Sequence, residues 1–349
     1  MTSRRAVIGY YVHHHGAGHA ARFRAIAAAS EQRLVPISER NDLGGLVLPS
    51  DVPAAEPADP TAGGALHWAP LDPSTATPRV KHLVDWLDRV RPAGVVVDVS
   101  VEIALACRLA GVATVYVRLH GPRRDGAHRM AYSSATGLLA PYPAELETDR
   151  APEVIDKTRY VGFIHPVDAG PSTSDDPGHG VDITIPTARD AVVLWGRGGG
   201  HLRGGVVDAV AGAIDGTVYC AGSEIFEPGD GPSAWNVVEL GWVPDTALLL
   251  TGRPLVVSSA GSSCVAAAAR ARCPLVVVAV PRPFEEQHDH AAALAAAGVA
   301  VCAPTTADPA VWRRAVVASR TAASSWDRLR PHLDGAPAAA AAIADWLAP

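Results

Sequence analysis

Two short stretches carry residues whose types and spacing could do chemistry. The first is His15-Gly-Ala-Gly-His19, which follows an apolar run from Ala6 to Val12. Gly16 and Gly18 leave room for a substrate hydroxyl beside His19, and an imidazole, which titrates near neutrality, can take that hydroxyl's proton as general base. The second is Ser258-Ser259-Ala260-Gly261-Ser262-Ser263, between the apolar run Leu255 to Val257 and an alanine-rich helical stretch. A strand, a turn without bulk and a helix start make an anion site. The first helical N–H groups, here at Gly261, Ser262 and Ser263, lack internal partners and carry partial positive charge. A second run, Leu275 to Val280, ends in Pro281, and Glu285, Glu286 and Gln287 open a further helix. Phosphate and hydroxyl contacts would then lie side by side at the carboxyl edge of one sheet, where open α/β sheets bind ligands.

These residues need parallel strands behind them, and the pattern supplies them. Strands are expected at Ala6 to Val12, Arg33 to Ser38, Gly45 to Leu48, Gly94 to Val99, Thr114 to Arg118 and Gly137 to Ala140, with helices about 79–91, 101–110 and 127–135. After residue 190 the strands are Ala191 to Trp195, Thr217 to Ala221, Asn236 to Leu240, Leu255 to Val257, Leu275 to Val280 and Val299 to Ala303. Helices are expected up to about Asp215 and at 245–251, 308–320, 322–332 and 338–347. Strands apolar on both faces, alternating with helices, predict parallel sheets covered on both sides. The chain has 349 residues, more than one domain usually holds, and its 48% hydrophobic content can fill two cores. Residues 1–163 form the expected first domain, 190–320 the second and 321–349 terminal helices. The Pro-, Gly-, Ser- and Asp-rich 164–189 is read as the linker.

A formal net charge of −6 offers no general attraction to nucleic acid or anionic lipid. Five scattered cysteines without CxxC spacing indicate neither a disulfide framework nor a zinc site, which fits a reducing cytoplasm. No apolar run reaches membrane-spanning length, so no transmembrane segment is expected. His13, His14 and His15 invite a metal, but Gly16 and Gly18 break any regular helix joining His15 to His19, and no carboxylate lies nearby in sequence. Asp98, at the end of its strand, either orients His19 or caps the next helix, a task Ser100 could equally perform. Arg118, Arg123, Arg124 and Arg129, with His120 and His128, are read as a solvated loop, or else as the receiver of an acidic acceptor.

The order Ser-Ser-Ala-Gly-Ser-Ser, helix, Pro-Leu-Val-Val-Val, Pro-x-Pro, Glu-Gln, helix resembles the nucleotide-sugar site of the GT-B glycosyltransferases, in the branch of MurG and the UDP-glucuronosyltransferase-like enzymes. The resemblance runs strongly over about 190–300 and more weakly before. It implies an α/β fold of two Rossmann-like domains facing across a cleft, with the terminal helices crossing back to the first. It further implies that the glycine/serine turn holds the donor diphosphate and that Glu286 and Gln287 bind sugar hydroxyls. The His15 to His19 turn resembles the family's GGxGGH loop, whose His is a proposed base. Gly196-Arg-Gly-Gly-Gly200, with Gly198 at its centre, resembles the glycine loop opening the donor domain. Gly241-Trp-Val-Pro-Asp245 resembles the Trp-x-Pro-Gln segment that stacks the base, giving Trp242 and Val243 that task, with Asp245 in place of Gln. Ala267 stands where the family carries a ribose-binding Glu.

The resulting expectation is a cytoplasmic, inverting, metal-independent glycosyltransferase without a resident cofactor. Its co-substrate is a UDP- or dTDP-sugar, and His19 with Asp98 activates the hydroxyl of a small-molecule, glycan or lipid-linked acceptor. Gly16, Gly18 and Arg118 would line the acceptor side. An epimerase or hydrolase on the same fold, or a binding module without turnover, is the alternative.

Overall fold

The computed structural model describes residues 6–165, 185–196, 200–223, 225–243 and 245–347. In the first half the strands are Val7–Tyr11 (β1), Arg33–Ser38 (β2), Leu46–Val47 (β3), Gly94–Asp98 (β4), Thr114–Val117 (β5), Gly137–Ala140 (β6) and Thr158–Tyr160 (β7). The helices among them are Gly18–Ala29 (α1), Pro73–Val90 (α2), Val101–Leu109 (α3), Gly126–Ser134 (α4) and the single turn Pro152–Ile155 (α5). The second half continues with Ala191–Leu194 (β8), Gly204–Ala211 (α6), Val218–Ala221 (β9), Val237–Gly241 (β10), Ala247–Leu250 (α7), Leu255–Ser258 (β11), Ser262–Ala271 (α8) and Leu275–Val277 (β12). It ends with Glu286–Ala296 (α9), Val301–Cys302 (β13), Pro309–Ala322 (α10), a 3₁₀ stretch Ala323–His332 and Ala336–Leu347 (α11).

The described residues form two parallel sheets, ordered β3-β2-β1-β4-β5-β6-β7 and β10-β9-β8-β11-β12-β13. Strands β4, β8 and β11 are buried at every residue, as strands covered on both faces must be. In the first sheet β1 lies between β2 and β4, with Ile8 opposite both Leu34 and Gly94. In the second, β8 lies between β9 and β11. At β1/β4 and at β8/β11 successive crossovers leave in opposite directions and open a crevice at the carboxyl ends. His19 follows β1, Asp98 ends β4 and the serine turn follows β11, so the topology delivers them to two such crevices.

Helix starts follow their polar caps. Asp72 accepts from Ser74 N, Ser100 from Ile103 N and Asp308 from Ala310 N. The helix expected at 79–91 begins earlier, at Pro73: Asp72 is a cap followed by a proline at the first helical position. The expected helix at 322–332 is 3₁₀, and β7 was not anticipated. α11 lays Ala339, Ile343 and Leu347 on the first sheet's core beside Ile8, Tyr10 and Val96, and touches α1. No helix of the described residues is long and apolar enough to cross a membrane.

Candidate functional site

At the first crevice, β1 passes through His13 to Gly16 into α1, whose first turn carries His19 and whose next carries Arg22. Residues three apart share a helix face, so both reach the same group. That group is Asp98, fully buried at the tip of β4. Its Oδ1 lies 3.0 Å from His19 Nδ1, and Arg22 Nη1 donates to both carboxylate oxygens at 2.7 Å. Burial alone would raise the Asp98 pKa, but Arg22, and then His19, outweigh it and hold the carboxyl at about 2. Asp98 is therefore an anion that holds the imidazole, while Ser100 caps α3. Val99 between them has φ +65°, a costly conformation for a β-branched residue. The rings of His13, His14 and His15 gather beside this pair, and burial together with the neighbouring imidazoles lowers His13 to about 3.

At the second crevice, β11 ends at Ser258, Ala260 takes φ +62°, and Gly261 begins α8 with no side chain capping it. α1 likewise starts without a side-chain cap. The two open N-termini face each other: a Cβ built on Gly18 would stand 3.1 Å from Ser263 Oγ. Gly18, Arg22, Pro141, Ile164, Ser262 and Ser263 line a cavity of about 10 Å³ between them. Two sets of free N–H groups and the Arg22 guanidinium thus converge on one point, an arrangement suited to a multiply charged anion. The cavity has room for about one water.

Glu286 opens α9, and its Oε2 accepts from Arg123 Nη2 of the first half at 2.6 Å. Gln287, expected to meet sugar hydroxyls, also makes contacts within its own half. Its buried amide donates to Ser259 Oγ at 3.4 Å and accepts from Val280 N at 3.2 Å, tying the serine turn to the segment after β12. Arg118, expected on the acceptor side, is 3% exposed, and both terminal nitrogens donate to Glu147. Asp245 accepts from Ala247 N at 2.8 Å and so serves the start of α7. Trp242, 40% exposed, and half-buried Val243 follow the edge strand β10. Gly16 turns the chain ahead of α1 with φ +70°. Gly198 lies outside the described residues. Ala267, half-buried on α8, packs against the second core.

Three participants escaped sequence reasoning. Arg22 was legible in principle, three residues after His19 on one helix. Arg123 and His120 were read as solvated, yet both are buried, because the loop carrying them is covered by α9 and the bend before it. His67, Asp125 and His128 bring ligand-type atoms within 4.8 Å of one another. Asp125 already bonds both rings, at 3.0 and 2.6 Å, and Arg123 Nη1 lies 3.4 Å from His128 Nε2. The trio closes on itself beside a guanidinium, which disfavours a cation.

No family model matches the chain, and no curated protein matches its sequence. Solved structures do. The spinosyn rhamnosyltransferase SpnG, complexed with thymidine diphosphate, is similar over 97% of this chain and 100% of its own, with TM-score 0.68 and 16% identity. Arabidopsis thaliana UGT89C1, complexed with UDP, is similar over 98% and 100%, with TM-score 0.68 and 12% identity. Acinetobacter baumannii MurG is similar over 99% of each chain, with TM-score 0.62 and 13% identity. Two parallel sheets with interleaved helices, matched over their whole length by these glycosyltransferases, show that the chain has the two-domain α/β fold called GT-B.

Proposed function

We propose that the protein is an inverting, metal-independent glycosyltransferase using a UDP- or dTDP-sugar. The observation that carries this reading is the meeting of two uncapped helix N-termini, at Gly18 and at Gly261 to Ser263, beside Arg22 and the His19–Asp98 pair. An anion-holding point next to a histidine whose Nδ1 is occupied by a buried carboxylate suits the departure of a diphosphate and the arrival of an alcohol. Trp242 follows β10, three strands from β11, about 14 Å along the sheet at ordinary strand spacing. That separation favours a nucleoside diphosphate, with its base at the tryptophan, over a lone phosphate. The nucleotide-bound solved structures of this fold support the same reading.

In the reaction, the acceptor hydroxyl loses its proton to His19 Nε2 while its oxygen bonds the anomeric carbon from the face opposite the leaving group. The bond from that carbon to the diphosphate oxygen breaks, and the electron pair leaves with the diphosphate, onto the N–H groups of α8 and Arg22. Asp98 stabilises the imidazolium that forms. His19→Ala should lower turnover by about 10³-fold while leaving nucleotide affinity nearly unchanged. A panel of UDP- and dTDP-sugars, with and without alcohol acceptors, scored for diphosphate release and product, tests the whole reading. Unchanged activity of His19→Ala would remove the base, and a wild type that binds no nucleotide would remove the function.

A further inference from the structure

Arg123 crosses the interface between the two halves and is fixed on every side. Its Nε donates to His120 O at 3.2 Å, Nη1 lies 3.4 Å from His128 Nε2, and Nη2 donates to Glu286 Oε2 at 2.6 Å. The guanidinium carbon stands 5.0 Å from the centre of the Phe284 ring, a cation–π contact with the other half. Only 8% of the Arg123 side chain is exposed, against 30% for Glu286. A planar guanidinium held by three edges and one face has one orientation, so its pair with Glu286 has one as well.

The backbone leading to Glu286 depends on the same contact. Phe284 and Glu285 take φ +59° and +50°, successive left-handed residues that are not glycine. Against them lies Gly121 with φ +102°, so close that a Cβ there would reach Phe284 O. Asp289, in the first turn of α9, accepts from Gly121 N at 2.9 Å and from Thr148 Oγ1 at 2.6 Å. The first turn of α9 is thus seated on the first half. Glu286 Oε2 is held by Arg123, and among the described residues no hydrogen bond occupies Oε1.

We infer that Arg123 is a positioning residue for the donor sugar: it clamps one oxygen of Glu286 across the interface and leaves the other to accept from a sugar hydroxyl. This rests on the reading of Glu286 as the residue that meets the sugar. It assigns the first half a share in donor recognition, exerted only when the two halves are closed. Arg123 itself touches no substrate. It removes the rotational freedom that a long, partly exposed glutamate otherwise loses on binding.

Calorimetry with UDP, dTDP, UDP-glucose and dTDP-glucose on the wild type, Arg123→Met, Glu286→Gln and the double variant tests the inference. Arg123→Met keeps an unbranched apolar side chain beside Phe284 and removes the clamp. The preferred sugar nucleotide should bind about tenfold more weakly to Arg123→Met, whereas the matching sugar-free nucleotide changes by less than about twofold. The double variant should lose no more than Glu286→Gln alone, since both changes remove one interaction. Equal weakening of nucleotide and nucleotide sugar would mark Arg123 as a general support and overturn the inference. So would additive losses in the double variant, or a wild type that gains nothing from the sugar of any probe. If Arg123→Met does not fold, Arg123→Lys, which keeps the charge but not the three-edged grip, carries the same comparison with the same outcomes. A wild type that binds none of the four probes would remove the transferase reading itself, whereas nucleotide binding with an unaltered Arg123→Met would remove this inference alone.

Discussion

His120 lies flat against His290 across the interface, with ring centres 4.2 Å apart and planes within 12°. Tyr142 stacks on the other face of His120 at 4.0 Å. His290 donates to Ala260 O at 2.9 Å and so supports the left-handed residue of the serine turn. Both ring nitrogens of His120 are buried without a hydrogen-bond partner. Burial, then the nearby His290, Arg118 and Arg123, pushes the His120 pKa well down, and burial brings His290 to about 4. Both rings are therefore neutral when folded but take up a proton near pH 6.5 when unfolded.

The unfolded chain consequently binds more protons below pH 6.5, and stability falls as pH drops from there toward 4, by up to about 1.4 kcal/mol per unit for each ring. His120→Phe removes one of these groups and two unsatisfied nitrogens while keeping the stack. Urea unfolding at pH 7 should show a gain of about 1–3 kcal/mol. The same variant should lose less stability than the wild type between pH 6.5 and 5.

Asp98 titrates in a lower window. Its folded pKa of about 2 lies below the unfolded value near 3.9, so its contribution is present above pH 4 and is lost as pH falls from about 4 to 2. Asp98→Asn leaves Arg22 buried without its anion and should cost about 3 kcal/mol near neutral pH. Turnover should fall along with stability, because His19 Nδ1 loses its anionic acceptor and the imidazolium its counter-charge. Denaturant midpoints and initial rates, measured on the same preparations, check both. Wild-type stability in Asp98→Asn would mean that the Arg22 pair contributes little.

Gly121→Ala tests the closed arrangement. A Cβ cannot coexist with Phe284 O at that backbone position, and φ +102° is unfavourable for alanine. The seat of α9 should open, so X-ray scattering in solution should give a larger radius of gyration than the wild type. Turnover should fall about tenfold or more while each sheet keeps its circular-dichroism signal. An unchanged radius would show that the halves dock independently of this contact.

Trp242→Ala should weaken nucleotide and nucleotide sugar alike, by about tenfold, since a stacking face serves the base whatever sugar follows. Calorimetry separates this from the sugar-confined loss expected on removing Arg123. Unaltered nucleotide affinity would take Trp242 out of the site.

Much of this was legible in the residues themselves, because its causes are local. Apolar runs between glycine turns and helical stretches specify parallel strands and crossovers, which is why β2 and β6 fall at their expected bounds. His19 and the serine turn were found for the same reason: a strand–turn–helix unit presents its turn at the carboxyl edge whatever the rest of the chain does. Tertiary packing decided which polar groups are spoken for. Gln287 and Arg118 have suitable types at suitable places, and in the folded chain they meet Ser259 with Val280, and Glu147. Arg123 meets Glu286 from 163 positions away, and no local period encodes that pairing. Hydrophobic patterning is written residue by residue, but a buried charge must find its partner wherever the folded chain supplies one. The sequence alone therefore determined the scaffold and its two turns, and only the packed structure determined which side chains remain available at them.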